Sequence, residues 1–114
     1  MESILNSIKK LLGITAEDTS FDTDIIIHIN TVFLTLNQLG VGPNKPVAIS
    51  SELDTWQDKF GAMDHIEAIK SYTYLRVRLL FDQPTSSFVI ESMNKQITEL
   101  EWRLMTQLEN NKED

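Results

Sequence analysis

The stretch DHIEAIKSYTYLRVRLLFD, residues 64–82, decides how the rest of the chain is read. Asp64 is a good N-cap, because its carboxylate can accept from the free amides of a first helical turn. Glu67 follows at the position of a capping-box partner. Pro84 cannot continue a helix, and its ring pushes Gln83 away from helical angles. Between these stops the apolar residues recur with a helical period. At about 100° per residue, Ala68, Tyr72, Leu75 and Leu79 fall on one stripe, with Ile66, Ile69 and Leu80 beside it. Glu67, Lys70, Ser71, Tyr74 and Arg78 share the opposite, wet face. So wide an apolar arc suits a central helix with neighbours on two sides. Arg76 points into the middle of that arc. It is either a snorkelling or salt-bridged arginine, or a charge held for a second subunit.

Upstream, residues 3–12 read as a short amphipathic helix with Ile4, Leu5, Ile8, Leu11 and Leu12 on its apolar side. Lys9 and Lys10 suit the negative end of its dipole, and Gly13 supplies a left-handed stop. So short a helix must dock on something to be stable. A second helix is expected from about Asp22 to Leu39, with Asp22 and Asp24 at its positive end and Gly40 behind it. Its core stripe is Ile25, Ile29, Val32, Phe33, Leu36 and Leu39, flanked by Ile26. Ile27 and Leu34 break this pattern: they lie on one line nearly opposite the stripe. Lone exposed apolar residues are ordinary, whereas an aligned pair on a polar back face suggests a contact with something else.

Residues 41–63 form the irregular part. Gly42, Pro43 and Pro46 interrupt helix, and Val47-Ala48-Ile49 reads as a short extended piece. Ser51 or Asp54 then caps a turn or two, with Leu53, Trp56 and Phe60 on one side and Gly61 closing it. Trp56 and Phe60 are expected to fold back onto the core. After the central helix, Thr85 or Ser86 caps a last helix running to about Glu109. Its stripe is Ile90, Met93, Ile97, Leu100, Leu104 and Leu108, close to a coiled-coil seam. Phe88 and Trp102 lie off that seam. A tryptophan so placed either covers a neighbouring helix or anchors an interface. The fold expected is all-α: one domain over residues 1–114, a small bundle of about four helices, a long irregular loop between the second and third, and a frayed tail at 109–114.

With 41% hydrophobic and 24% charged residues in 114, the chain has the composition of a folded domain with a modest core. It lacks cysteine, which removes disulfides and thiolate metal sites. A net charge of −7 disfavours unaided binding to duplex phosphates. No stretch approaches the roughly 18 uninterrupted apolar residues of a membrane span, and the opening MESILNSIKKLLGI lacks the order of a signal segment. The histidines are His28 and His65. Asp24 and His28 have metal-ligand spacing, but the aspartates already serve the helix end. Asp18, Asp22 and Asp24 resemble a calcium loop only faintly, since Thr23 stands where glycine is needed. There is no Gly-rich phosphate loop, nucleophile elbow or HExxH. The expectation is no enzyme, no metal and no cofactor.

Three segments carry a resemblance. They are LLGITAEDTSFDTDIIIHINTVFLTLNQLGVG, the isolated Trp56 with Phe60-Gly61, and EAIKSYTYLRVRLLFDQPTSSFVIESMNKQITELEWRL. Together they resemble small head–tail connector (adaptor) proteins of long-tailed double-stranded DNA phages and prophages. The most specific part is YLRVRLLFDQPTSSF followed by ELEWRL; the loop 43–55 matches least. The resemblance implies a virion protein made in the host cytoplasm. It would form a homo-oligomeric ring under the portal, extend the DNA channel without binding DNA specifically, and offer tail-side proteins a platform. Subunits in isolation would be able to stay monomeric. A ring needs two different patches per subunit. Ile27 with Leu34 and Phe88 with Trp102 are the candidates, with Arg76 as a further interface candidate. The competing class is a small helical regulator, dimeric or antitoxin-like, using the last helix as a coiled coil.

Overall fold

The computed structural model describes residues 2–112 apart from 62 and 64, with side chains described as far as residue 106. Five helices follow one another: α1 (Ile4–Leu11), α2 (Asp22–Gln38), α3 (Trp56–Phe60), α4 (Ile66–Phe81) and α5 (Ser87–Lys112). The fold is all-α, with four helices of real length and one short one. Among the described residues none of them is long and apolar enough to cross a membrane.

The helix ends follow local chemistry. Ser3 caps α1 through its side chain, which accepts from the Asn6 amide. Gly13 follows α1 with φ +82, an angle that favours glycine. Thr55, rather than Ser51 or Asp54, caps α3 by accepting from the Asp58 amide. Asp54 instead accepts from the amides of Ser50 and Ser51 and so shapes the preceding turn. These bonds hold its carboxyl below the ordinary carboxylate pKa, the Ser50 amide first. That turn carries Leu53 outward, 80% exposed, and not onto the Trp56 side. The expected Asp64 cap of α4 lies outside the described residues; His65, at the N-cap position, makes no side-chain cap bond. Ser86 accepts from the Val89 amide at the start of α5.

Helix α4 is the hub, with α1, α2 and α5 all packed on it. Ile69, Tyr72 and Val77 are fully buried there, together with Ile25, Ile29, Val32, Phe33 and Leu36 of α2. Met93, Ile97 and Leu104 bring the inner stripe of α5 into the same core. The buried arc of α4 is rotated from the expected one. Val77 and Thr73 are inside, Leu79 is only partly buried, and Leu80 is 52% exposed. Thr73 tolerates burial because its hydroxyl donates to the Ile69 carbonyl at 2.8 Å. Tyr74, expected on the wet face, packs partly against the core.

The long loop is held at two points. Trp56 and Phe60 stack edge-on against Phe33, with ring centroids 6.0 and 5.1 Å away. The Trp56 indole donates to Ser7 Oγ at 2.9 Å and so locks α3 to α1. Gly42 approaches Phe60 so closely that a Cβ would sit 3.2 Å from the ring, at φ +93. Asn30 of α2 acts as a strand for the extended piece: its Oδ1 accepts from the Ile49 amide at 2.8 Å and its Nδ2 donates to the Ile49 carbonyl at 3.0 Å. Lys9 lies inside rather than at a wet helix end. It is 1% exposed, donates to the Ala16 carbonyl at 3.1 Å and sits 2.8 Å from Asp22.

Candidate assembly surface

Two residues of α4 show where its neighbours stand. Tyr72 and Phe81 are nine positions apart, so at about 100° per residue they project from opposite sides. Tyr72 donates to Glu101 of α5 at 2.6 Å. Phe81 meets Phe21 at the entry to α2 and His28 within it, at 5.4 and 6.3 Å between centroids. Helices α2 and α5 therefore flank α4 on opposite sides, and their outward faces look away from each other.

The back of α2 carries Ile27 and Leu34, 56% and 48% exposed. Thr31 and Thr35 lie along the same outer side. Their hydroxyls donate to the carbonyls of Ile27 and Thr31 at 3.0 and 3.3 Å, which turns polarity into the helix and leaves methyls outside. From Ile25 to Asn44 the chain has no Asp, Glu, Lys or Arg. This in a chain with 27 such residues (10 basic and 17 acidic) is the signal that marks α2, and it was readable without a structure.

The outer face of α5 carries Phe88 and Trp102, 80% and 67% exposed, with Val89 and Met105 also open. Phe88, Lys95 and Trp102 are spaced seven apart, so they form one slowly turning row of about 21 Å at 1.5 Å per residue. Glu99 and Arg103 form an ion pair beside that row. The seam of α5, by contrast, is spent inside the molecule on α4. The Leu108 part of the expected seam lies beyond the described side chains.

Arg76 belongs to neither patch. Its Nη2 donates to Glu101 Oε2 at 2.9 Å and its Nε donates to the Tyr72 hydroxyl at 2.7 Å. The three groups tie α5 to α4. Burial opposes the charges of both Arg76 and Glu101, but the shared bonds outweigh it, so the arginine pKa is raised and the Glu101 pKa lowered. Burial, and then the bond to Glu101, pushes the Tyr72 phenol well above its ordinary range. The structure thus sets Ile27 and Leu34 on one line of α2, aligns Phe88 with Trp102, and places Arg76 between α4 and α5.

A groove of about 660 Å³ lies between α1, α4 and α5, with Leu11, Trp56, Lys70 and Tyr74 in its walls. Lys70 is held there by Glu2 at 2.7 Å and Glu67 at 3.4 Å. No described serine bonds a histidine, and among the described residues no group of three or more His, Cys, Asp or Glu could hold a metal ion. What the surface offers is packing area. No curated protein and no solved structure gives a significant match to the chain. A family model described as phage connector protein matches residues 4–111, which is nearly the whole fold, and the chain belongs to that family.

Proposed function

We propose that the protein is a structural, non-enzymatic head–tail connector of the virion, a ring of copies seated under the portal. The ring extends the DNA channel and gives tail-side proteins a platform. One observation carries the reading within the family: among the described residues a packed core forms, yet Ile27 with Leu34 and Phe88 with Trp102 stay outside in aligned rows on two sides of the molecule, besides the single exposed residues Leu11, Leu53 and Leu80. A dimeric regulator would be expected to pair through α5, but the stripe it would use packs on α4. The charge supports a passive channel. Five of the ten Lys and Arg (Lys9, Lys59, Lys70, Arg76 and Arg103) are paired with a carboxylate, and the net charge of −7 leaves the whole unfavourable for gripping phosphates.

The test is the double variant Ile27→Ser with Leu34→Ser, mixed with portal-bearing heads and viewed by electron microscopy. Both positions are half exposed, so helical content and melting should stay near wild type. Attachment to the heads should be lost. A variant that unfolds would show that these side chains are core. One that folds and attaches normally would show that the ring does not use them.

A further inference from the structure

We propose that neighbouring copies join head to tail, the back of α2 of one copy seated on the outer face of α5 of the next. The inference rests on the reading that copies assemble, and it assigns the two faces of the joint. Because α2 and α5 flank α4 on opposite sides, a copy cannot cover its own patches. A two-fold contact would use one patch twice and leave the other bare, whereas a head-to-tail contact covers both.

The chemistry of the faces favours this pairing. Set against another α5 about a two-fold axis, with Phe88 on Trp102, the row would place Lys95 on Lys95 and Glu91 toward Glu99, both like-charge meetings. Set against α2 the middle of the row meets the stretch from Ile25 to Asn44, which has no formal charge, so no like charges meet there, and the Lys95 stem can run along that face with its ammonium in water at the rim. Phe88 and Trp102 are the large anchors, and tryptophan is among the residues that carry most interface energy. The spacing also matches. Ile27 and Leu34 are seven apart, as are successive members of the α5 row, and this common period suits two helices crossing at about 20°. With a half-step stagger, Ile27 and Leu34 fill the gaps either side of the Lys95 stem. The four anchors together cover a few hundred Å², below the roughly 1,200 Å² at which specific interfaces stand alone. A single joint is therefore weak, and the occupant that fits is another copy held in place by the same assembly.

The natural chain has no cysteine, so two can be introduced cleanly. Thr31→Cys marks the back of α2 and Lys95→Cys the centre of the α5 row, both exposed. At millimolar concentration a short bis-maleimide should convert the chain carrying both into a ladder of trimers and higher species. Each single variant should remain monomeric. Adding Ile27→Ser and Leu34→Ser should cut the ladder about tenfold or more. The pairing is overturned if Thr31→Cys or Lys95→Cys alone gives dimers. It is equally overturned if the ladder is no stronger than with Glu52→Cys and Lys95→Cys, a pair that leaves α2 unmarked. Gln38→Cys with Thr98→Cys repeats the test at neighbouring positions, in case one pair perturbs folding. A ladder that stops at one size supports the ring as well, and an open-ended one keeps the pairing while removing the ring. Rings seen in micrographs without this cross-link keep the connector reading and remove the pairing.

Discussion

Removing the carboxylate beside Lys9 should harm the fold more than removing the lysine itself. Lys9 is 1% exposed, with one carbonyl at 3.1 Å and one carboxylate at 2.8 Å as its partners. Stripping one partner from a fully buried ion pair costs about 3–5 kcal/mol, because the other charge stays buried and uncompensated. The Asp22 side chain is 25% exposed and the Ala16 carbonyl remains, so Asp22→Ala should fall lower, at about 2–3 kcal/mol. Lys9→Met keeps most of the buried stem and deletes the charge; the Asp22 oxygen that faced it is buried, but the side chain as a whole is 25% exposed and can turn toward water, so about 1 kcal/mol or less is expected. The double variant should cost little more than Lys9→Met. At about 4 °C per kcal/mol for a domain of this size, Asp22→Ala should lower Tm by about 8–12 °C and Lys9→Met by under about 4 °C. Thermal and urea melts followed by circular dichroism give all three values. If Lys9→Met costs as much as Asp22→Ala, or if the two costs simply add, the buried charge is not what Asp22 compensates.

Asn30→Ala should free the Ile49 backbone, costing about 1–3 kcal/mol if its amide and carbonyl stay buried; hydrogen exchange at the Ile49 amide should rise sharply while exchange in α4 holds. Glu101 has its pKa lowered below 4.5, so its contribution to stability is present above about that pH and is lost as pH falls through the folded value. Glu101→Gln should therefore destabilise the protein at pH 7 and flatten part of its acid sensitivity; melts of both proteins from pH 7 to pH 3 running parallel would contradict the shift.

The helices were legible where glycine and proline punctuate the chain and where one period runs uninterrupted. Gly13 and Gly40 both take φ +82 just past their helices, and the odd residues Ile27 and Leu34 fall outside because the α2 period is regular. The α4 face was read less well, because its arc is so wide that neighbours set its centre. The sequence reading assigns Thr73 and Val77 to neither face; the Thr73 hydroxyl is satisfied by its own helix, so the residue can turn inward beside Val77. Arg76 showed as an anomaly, yet its partner Glu101 comes from a helix 25 residues on. Lys9 was illegible for the same reason: its pocket is made by Ala16 and Asp22, brought together by a turn with no strong signature. Leu53 was misplaced because Asp54 bonds the loop amides, which leaves capping to Thr55.

These errors leave the outward faces intact, and the reason is geometric. An outer face is fixed by the helix's own core stripe, so whatever buries Ile25, Ile29 and Leu36 must expose Ile27 and Leu34. The same holds for Met93, Ile97 and Leu104 against Phe88 and Trp102. Helix α4 then sets the two faces on opposite sides. Each copy carries a net charge of −7, so free copies repel one another over about the 10 Å Debye length of ordinary salt. A joint built from charged pairs would have to overcome that field and weaken with salt. A joint built on the charge-free run of α2 gains nothing from charge and loses little to screening. Repulsion between free subunits and a small apolar joint act together in the proposed assembly. In that assembly the repulsion would keep subunits apart in dilute solution, and the apolar joint would close only where a portal raises the effective concentration of one copy beside the next.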